Sequence, residues 1–215
     1  MSGDLIIKLA ARGDGVTASG RYASGAAPGD ILEDDGRITP GPRHIAPVCR
    51  HVPECGGCQL QHADDAARAE FVADRILSAL AAQGLANIVL RPAHMSPAES
   101  RRRVAMRAER RGKQVLLGFS AAKTNRIVDL AHCPVMHPAL AALVRPLRGL
   151  LAQLIPDRRG ASIRMTLADQ GVDLLIAGVE AEGLAAADAL TQFAHTHKLA
   201  RLSIDEGFGA AARWE

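Results

Sequence analysis

Between residues 5 and 48 the apolar runs are short, and glycine interrupts them at close intervals. Leu5–Leu9 reads as one strand, and Gly13, Gly15, Gly20, Gly25, Gly29 and Gly36 mark tight turns. Short strands with frequent glycine turns predict a compressed, OB-like β-barrel; the alternative is a glycine-rich arm packed loosely on the next domain. Pro40, Pro42 and Pro47 stiffen the adjoining stretch into a linker. Residues 1–45 are therefore expected to form a small β module, and residues 46–215 a second, larger domain.

Past residue 62 the period lengthens. Ala63 to Gln83 contains neither glycine nor proline, and Val72, Ile76, Ala79 and Leu80 share one face at helical spacing. Gly84 is placed to end that helix. Residues 101–130 return to period two: Val104, Met106 and Ala108 alternate with Arg103, Arg107 and Glu109. With a turn at Arg111-Gly-Lys113, a return strand over 115–119 and a third over 126–130, this is an antiparallel meander. A second helix is expected from His137-Pro138, with an apolar stripe at Leu140, Leu143, Val144, Leu147, Leu150, Leu151 and Leu154. Pro146 should kink or split it. Two strands (162–167 and 172–178), a third helix (182–197) and a last strand (199–204) complete an α+β pattern, in which antiparallel strands form one sheet covered by two or three helices.

Composition adds little until it is read locally. Aromatic residues make up only 3% of the chain, so the core must be aliphatic. No apolar run is long enough to span a bilayer, and Met1–Ala10 lacks the basic start of a secretory signal, so the expected location is the cytoplasm, with no membrane partner. In a reducing compartment, closely spaced cysteines read as metal or cluster ligands rather than disulfides. Cys49, Cys55 and Cys58 fall within ten residues, and Cys133 is the fourth. Four thiolates suit a 4Fe–4S cluster or a tetrahedral zinc. Three clustered ligands and one distant one fit a cluster better than the paired hairpins of a zinc ribbon; zinc, or thiols without a ligand, stay open on spacing alone. Gly56 and Gly57 would let the loop wrap tightly, through unusual backbone angles and close approach. His62, His132 and His137 lie near the cysteines in sequence and are expected to cap helices or hydrogen-bond the sulfurs.

Charge is concentrated in one place. Between Glu99 and Lys113 stand Arg101, Arg102, Arg103, Arg107, Arg110, Arg111 and Lys113 against Glu99 and Glu109, a local +5 in a chain whose formal total is +3. Such a segment suits RNA phosphates, because arginine offers a planar fork. A solvated strand face bridged to carboxylates such as Asp129 is the competing reading. Few aromatics are interleaved, so base-specific readout is not expected.

Taken together, Cys-x5-Cys-Gly-Gly-Cys-x-x-Gln-His from Cys49 to His62, Ser100–Arg103, and Gly118–Val135 leading to Cys133 resemble the iron–sulfur-containing RNA uracil-C5 methyltransferases, whose bacterial members act on ribosomal RNA. The resemblance covers nearly the whole chain. It implies a 4Fe–4S cluster on Cys49, Cys55, Cys58 and Cys133, an N-terminal module similar to an abbreviated TRAM domain, and ribosomal RNA as partner. The related transfer-RNA enzymes generally lack this cysteine set, which tilts the expected target toward 23S ribosomal RNA.

In that family a Rossmann-like domain binds S-adenosylmethionine and supplies a nucleophilic cysteine and a proton-accepting carboxylate. Here the four cysteines are already assigned, and Gly207-Phe-Gly209 has too little chain after it for a cofactor-binding strand–turn–helix. The expectation is an N-terminal and central portion with no catalytic residue of its own, inactive alone, with a separate methyltransferase half as partner if the gene is split. Two competitors are a stand-alone RNA-binding module with iron–sulfur or zinc and a redox carrier.

Overall fold

The computed structural model describes residues 3–205 and the backbone of 212–214; Gly207 and Gly209 lie outside the described residues. The chain divides into two units, Met1–Pro53 with Cys58–Ser96, and Glu54–Gly57 with Pro97–Glu215.

The first unit carries five short strands: β1 (Asp4–Leu9), β2 (Gly15–Thr17), β3 (Tyr22–Ala23), β4 (Ile31–Leu32) and β5 (Ile38–Thr39). They form an antiparallel sheet in the order β3-β2-β1-β4-β5. Alternation puts Ile6 inside, with Ala23, Ala26 and Leu32, and leaves Leu5 and Ile7 exposed. The helix α1 (Asp65–Ala81) starts where the Asp64 side chain accepts the Ala67 N–H at 2.6 Å. It ends as Gly84 takes positive φ and Leu85 N–H reaches back to Leu80 O. The face expected to be buried is instead open: Val72 is 40% exposed and Ile76 43%, and only Ala67 is fully buried.

The second unit is a seven-stranded sheet with two helices: β6 (Arg103–Arg111), β7 (Gln114–Ser120), β8 (Ile127–Asp129), α2 (Pro138–Leu154), β9 (Gly160–Ala168), β10 (Gly171–Ala177), α3 (Gly183–Thr196), β11 (Arg201–Asp205) and β12 (Ala212–Trp214). The order is β12-β11-β10-β9-β6-β7-β8. The sheet is antiparallel except between β10 and β11, which pair in parallel. That departs from the purely antiparallel expectation because α3 connects the two strands as a crossover, which returns the chain in the same direction.

The alternation of β6 decides the layering. Val104, Met106 and Ala108 are buried with Ile163 and Met165 of β9, Leu174 and Ile176 of β10, and the Leu140–Leu154 stripe of α2. Pro146 does not split α2, which runs unbroken through it. The helix bond it removes would have ended on the carbonyl of Ala142, an exposed residue, while buried Leu143, Val144 and Leu147 hold both flanking turns on the sheet. No described helix is long and apolar enough to cross a membrane.

Candidate metal centre and nucleic-acid interface

Cys55 is held by backbone pairing rather than by loop conformation. It forms an antiparallel bridge with Ala121, while Gly56 N–H donates to Ser120 O and Ala122 N–H to Glu54 O, both at 2.9 Å. Gly56 and Gly57 do not adopt positive φ. Of the two reasons expected for these glycines, only close approach therefore applies. A Cβ on Gly56 would stand 2.8 Å from Ser120 O, and one on Gly57 3.3 Å from the Phe119 ring. Gly57 N–H points at the Cys55 sulfur at 3.4 Å.

Cys133 lies beyond β8 on a segment tied at both ends. Leu130 N–H donates to Leu117 O, and the Arg148 guanidinium gathers Asp129 Oδ1 (2.6 Å), Leu130 O (3.1 Å) and Leu117 O (3.2 Å). Downstream, Glu99 N–H donates to Pro134 O and Arg101 N–H to Val135 O. Arg101 also places both terminal nitrogens 3.3 Å from Gly57 O. One arginine thus connects the stretch that carries Cys55 with the stretch that carries Cys133. Beside Cys133 a small pocket is lined by Leu130, His132, Met136 and Val144.

In the first unit, Cys49 is buried and its N–H donates to Gln61 Oε1 at 3.1 Å. Cys58 is half-buried. Gln61 Nε2 and His51 Nε2 are buried without a hydrogen-bond partner among the described residues. Gly13, in the β1–β2 turn, lies so close to the Cys58 loop that a Cβ would meet Gln59 O at 2.9 Å. His62 Nε2 donates to Ala26 O at 3.1 Å, and burial pushes its pKa down. His137 caps α2, its Nδ1 accepting the Ala139 N–H at 3.2 Å.

The donor chemistry of four thiols matches a cluster or zinc. In arrangement, no group of three or more His, Cys, Asp or Glu side chains gathers as a metal site among the described residues.

The basic segment separates into engaged and unengaged groups. Arg101 is held by Gly57. Arg102 bonds Leu167 O and Asp169. Arg110 bonds Gly112 O and Ile155 O. Arg111 pairs with Glu109 at 2.6 Å, and this bond holds the Glu109 carboxyl below its usual range. Arg103, Arg107 and Lys113 are exposed on β6 and its turn. Asp129, the carboxylate proposed to neutralise this segment, pairs instead with Arg148. Sequence reading missed Arg148 and Arg101 as positioning groups, since both act on main-chain carbonyls and leave no sequence signature.

No family model matches the chain. It is similar to a protein of Zymomonas mobilis named an uncharacterized RNA methyltransferase, 45% identical over 210 residues, which is 98% of this chain and 53% of that protein. An uncharacterized RNA methyltransferase of Caulobacter vibrioides is 34% identical over 82% of this chain and 46% of its own length. A 23S rRNA (uracil(1939)-C(5))-methyltransferase of Edwardsiella ictaluri is 32% identical over 86% of this chain and 46% of its own length. The chain spans about half the length of the curated relatives it matches, and those relatives carry the name RNA methyltransferase.

Proposed function

We propose that the chain is the RNA-binding, 4Fe–4S-carrying portion of an S-adenosylmethionine-dependent 23S rRNA (uracil-C5)-methyltransferase. The observation that carries this is the similarity, over 86% of the chain, to a relative named for that reaction; the cysteine pattern supports it. In this reading Cys49, Cys55, Cys58 and Cys133 are the cluster ligands, and the five-stranded sheet is a TRAM-like RNA-binding module. The exposed basic groups of the 101–113 segment meet ribosomal RNA in the cytoplasm. With all four cysteines of the sequence used as ligands, none is left to attack uracil C6. Methyl transfer and S-adenosylmethionine then belong to a methyltransferase domain outside residues 1–215. The cluster, when bound, supplies folding free energy rather than chemistry on the base.

Anaerobic purification followed by iron, sulfide and zinc analysis tests the cluster. About four irons and four sulfides per chain, with a broad visible absorption band, are expected for this cluster type. A colourless protein with one zinc overturns the cluster. Salt-sensitive binding to 23S rRNA fragments tests the RNA part. Methyl transfer from labelled S-adenosylmethionine by this chain alone would overturn the division of labour.

A further inference from the structure

The helices α2 and α3 supply their buried residues to the core on one face of the seven-stranded sheet. The odd-numbered positions of β6 and the even-numbered positions of β9 point the other way. Register places Arg103 opposite Thr166, Ala105 opposite Arg164 and Arg107 opposite Ser162. Arg103, Ala105, Arg107, Ser162 and Arg164 are all exposed. Arg103 and Arg107 stand about 13 Å apart along one strand, and Arg164 sits midway on the next strand, roughly 8 Å from each.

The arginines around this trio are occupied. Arg201 pairs with Asp173, the residue opposite Thr166. Arg102 pairs with Asp169, and Glu109, at the far end of β6, is taken by Arg111. The side chains of Arg103, Arg107 and Arg164 have no hydrogen bond or ion pair among the described residues. The patch therefore holds three guanidinium groups without a bonded partner there, interleaved with two hydroxyls and an alanine. It has no aromatic ring on β6 or β9 to stack a base.

We propose that this face of β6 and β9, opposite the one that α2 and α3 cover, is the surface that docks the RNA sugar–phosphate backbone, with Arg164 as a contact residue beside Arg103 and Arg107. The proposal rests on the RNA-binding reading above and deepens it by naming the surface. Three fixed positive charges within about 13 Å match a run of neighbouring phosphates, and small side chains between them let the backbone approach. Thr166 and Ser162 offer hydroxyl donors to the same oxygens. Without stacking groups, the contact is indifferent to base sequence.

The test is fluorescence anisotropy of a labelled, mixed-sequence single-stranded RNA with the full chain at several salt concentrations. Each lost phosphate contact should flatten the plot of log affinity against log salt by about 0.7. R164A should lower the slope by about that amount, and the R103A/R107A/R164A triple variant by about 2. R164K should retain it. R145A, on exposed Arg145 of α2, should leave it unchanged. Because Arg164 has no bonded partner to lose among the described residues, its variants should melt like the parent. If the parent chain binds no RNA, the RNA-binding reading itself fails. If it binds with a slope that R164A and the triple variant do not change, that reading stands and this surface is wrong. Dependence of the slope on base sequence would overturn the backbone-docking claim.

Discussion

Asp30 is a single point on which the N-terminal unit depends, and replacing it should cost a large share of that unit's stability. The carboxylate is fully buried, at 0% exposure. Its Oδ2 accepts from Ala27 N–H and from His44 Nδ1, both at 2.7 Å, and its Oδ1 accepts from Gly41 N–H at 2.7 Å. It therefore fixes the β3–β4 turn and the linker running toward Cys49 with one side chain. Asp30→Ala leaves two backbone N–H groups and one imidazole N–H without their acceptor. A stranded buried donor costs about 1–3 kcal/mol, so the buried Ala27 N–H alone implies about that much, and the half-buried Gly41 N–H adds less. Set against a typical domain stability of about 5–15 kcal/mol, that is a substantial loss. Asp30→Asn should fall between, because the amide can accept for one side of the cluster but presents a donor to the other. Hydrogen exchange resolved at Ala27 and Gly41, with urea unfolding followed by circular dichroism, reads the effect. A midpoint shift worth less than about 0.5 kcal/mol in Asp30→Ala, with both amides still protected, would refute the reasoning.

Particular contacts give three further outcomes. Gly118→Ala places a Cβ 2.0 Å from Val128 O, so β7 and β8 must separate; the variant should melt well below the parent or fail to fold, and an unchanged melting curve would contradict the packing. His62 is buried neutral with its pKa below the ordinary 6.5. The unfolded chain then takes up a proton first, so stability is full above about pH 6.5 and declines as pH falls from there toward the lowered folded value. That decline should be smaller in His62→Gln, measured by urea titration across this window. Cys58→Ala should lower both iron content and thermal stability, because a structural cluster contributes folding free energy directly; a variant that keeps its melting temperature while binding no metal would show that Cys58 is not a structural ligand.

The chain's periodicities were enough to find α2, α3 and the strands β6 to β11, because one buried face forces a period of 3.6 or 2 on the residues that make it; α1 was found although the face expected to be buried lies open, and β12 was not expected. Charge counting found the basic segment, and cysteine spacing together with the Cys-Gly-Gly-Cys-x-x-Gln-His run pointed toward the relatives. None of these signals reports what lies across from a residue. The parallel pairing of β10 with β11 comes from where the α3 crossover lands, which no local pattern encodes. Pro146 stays within a helix because its neighbours Leu143, Val144 and Leu147 are packed and Ala142, which loses its helix bond, is an exposed residue, a balance that exists only once the sheet is present. Arg101 and Arg110 look like their exposed neighbours in sequence, and only the fold turns them onto main-chain carbonyls. Arg164 lies far along the chain from the basic run and joins it solely through the β6–β9 register. Local spacing was therefore sufficient for most of the elements, for the inward faces of α2, β6 and β9, and for the residue types available for chemistry, but not for the face that α1 buries. Which arginines are spent on the protein and which face outward was settled only by the assembled fold, because pairing and burial are set by residues distant in the chain.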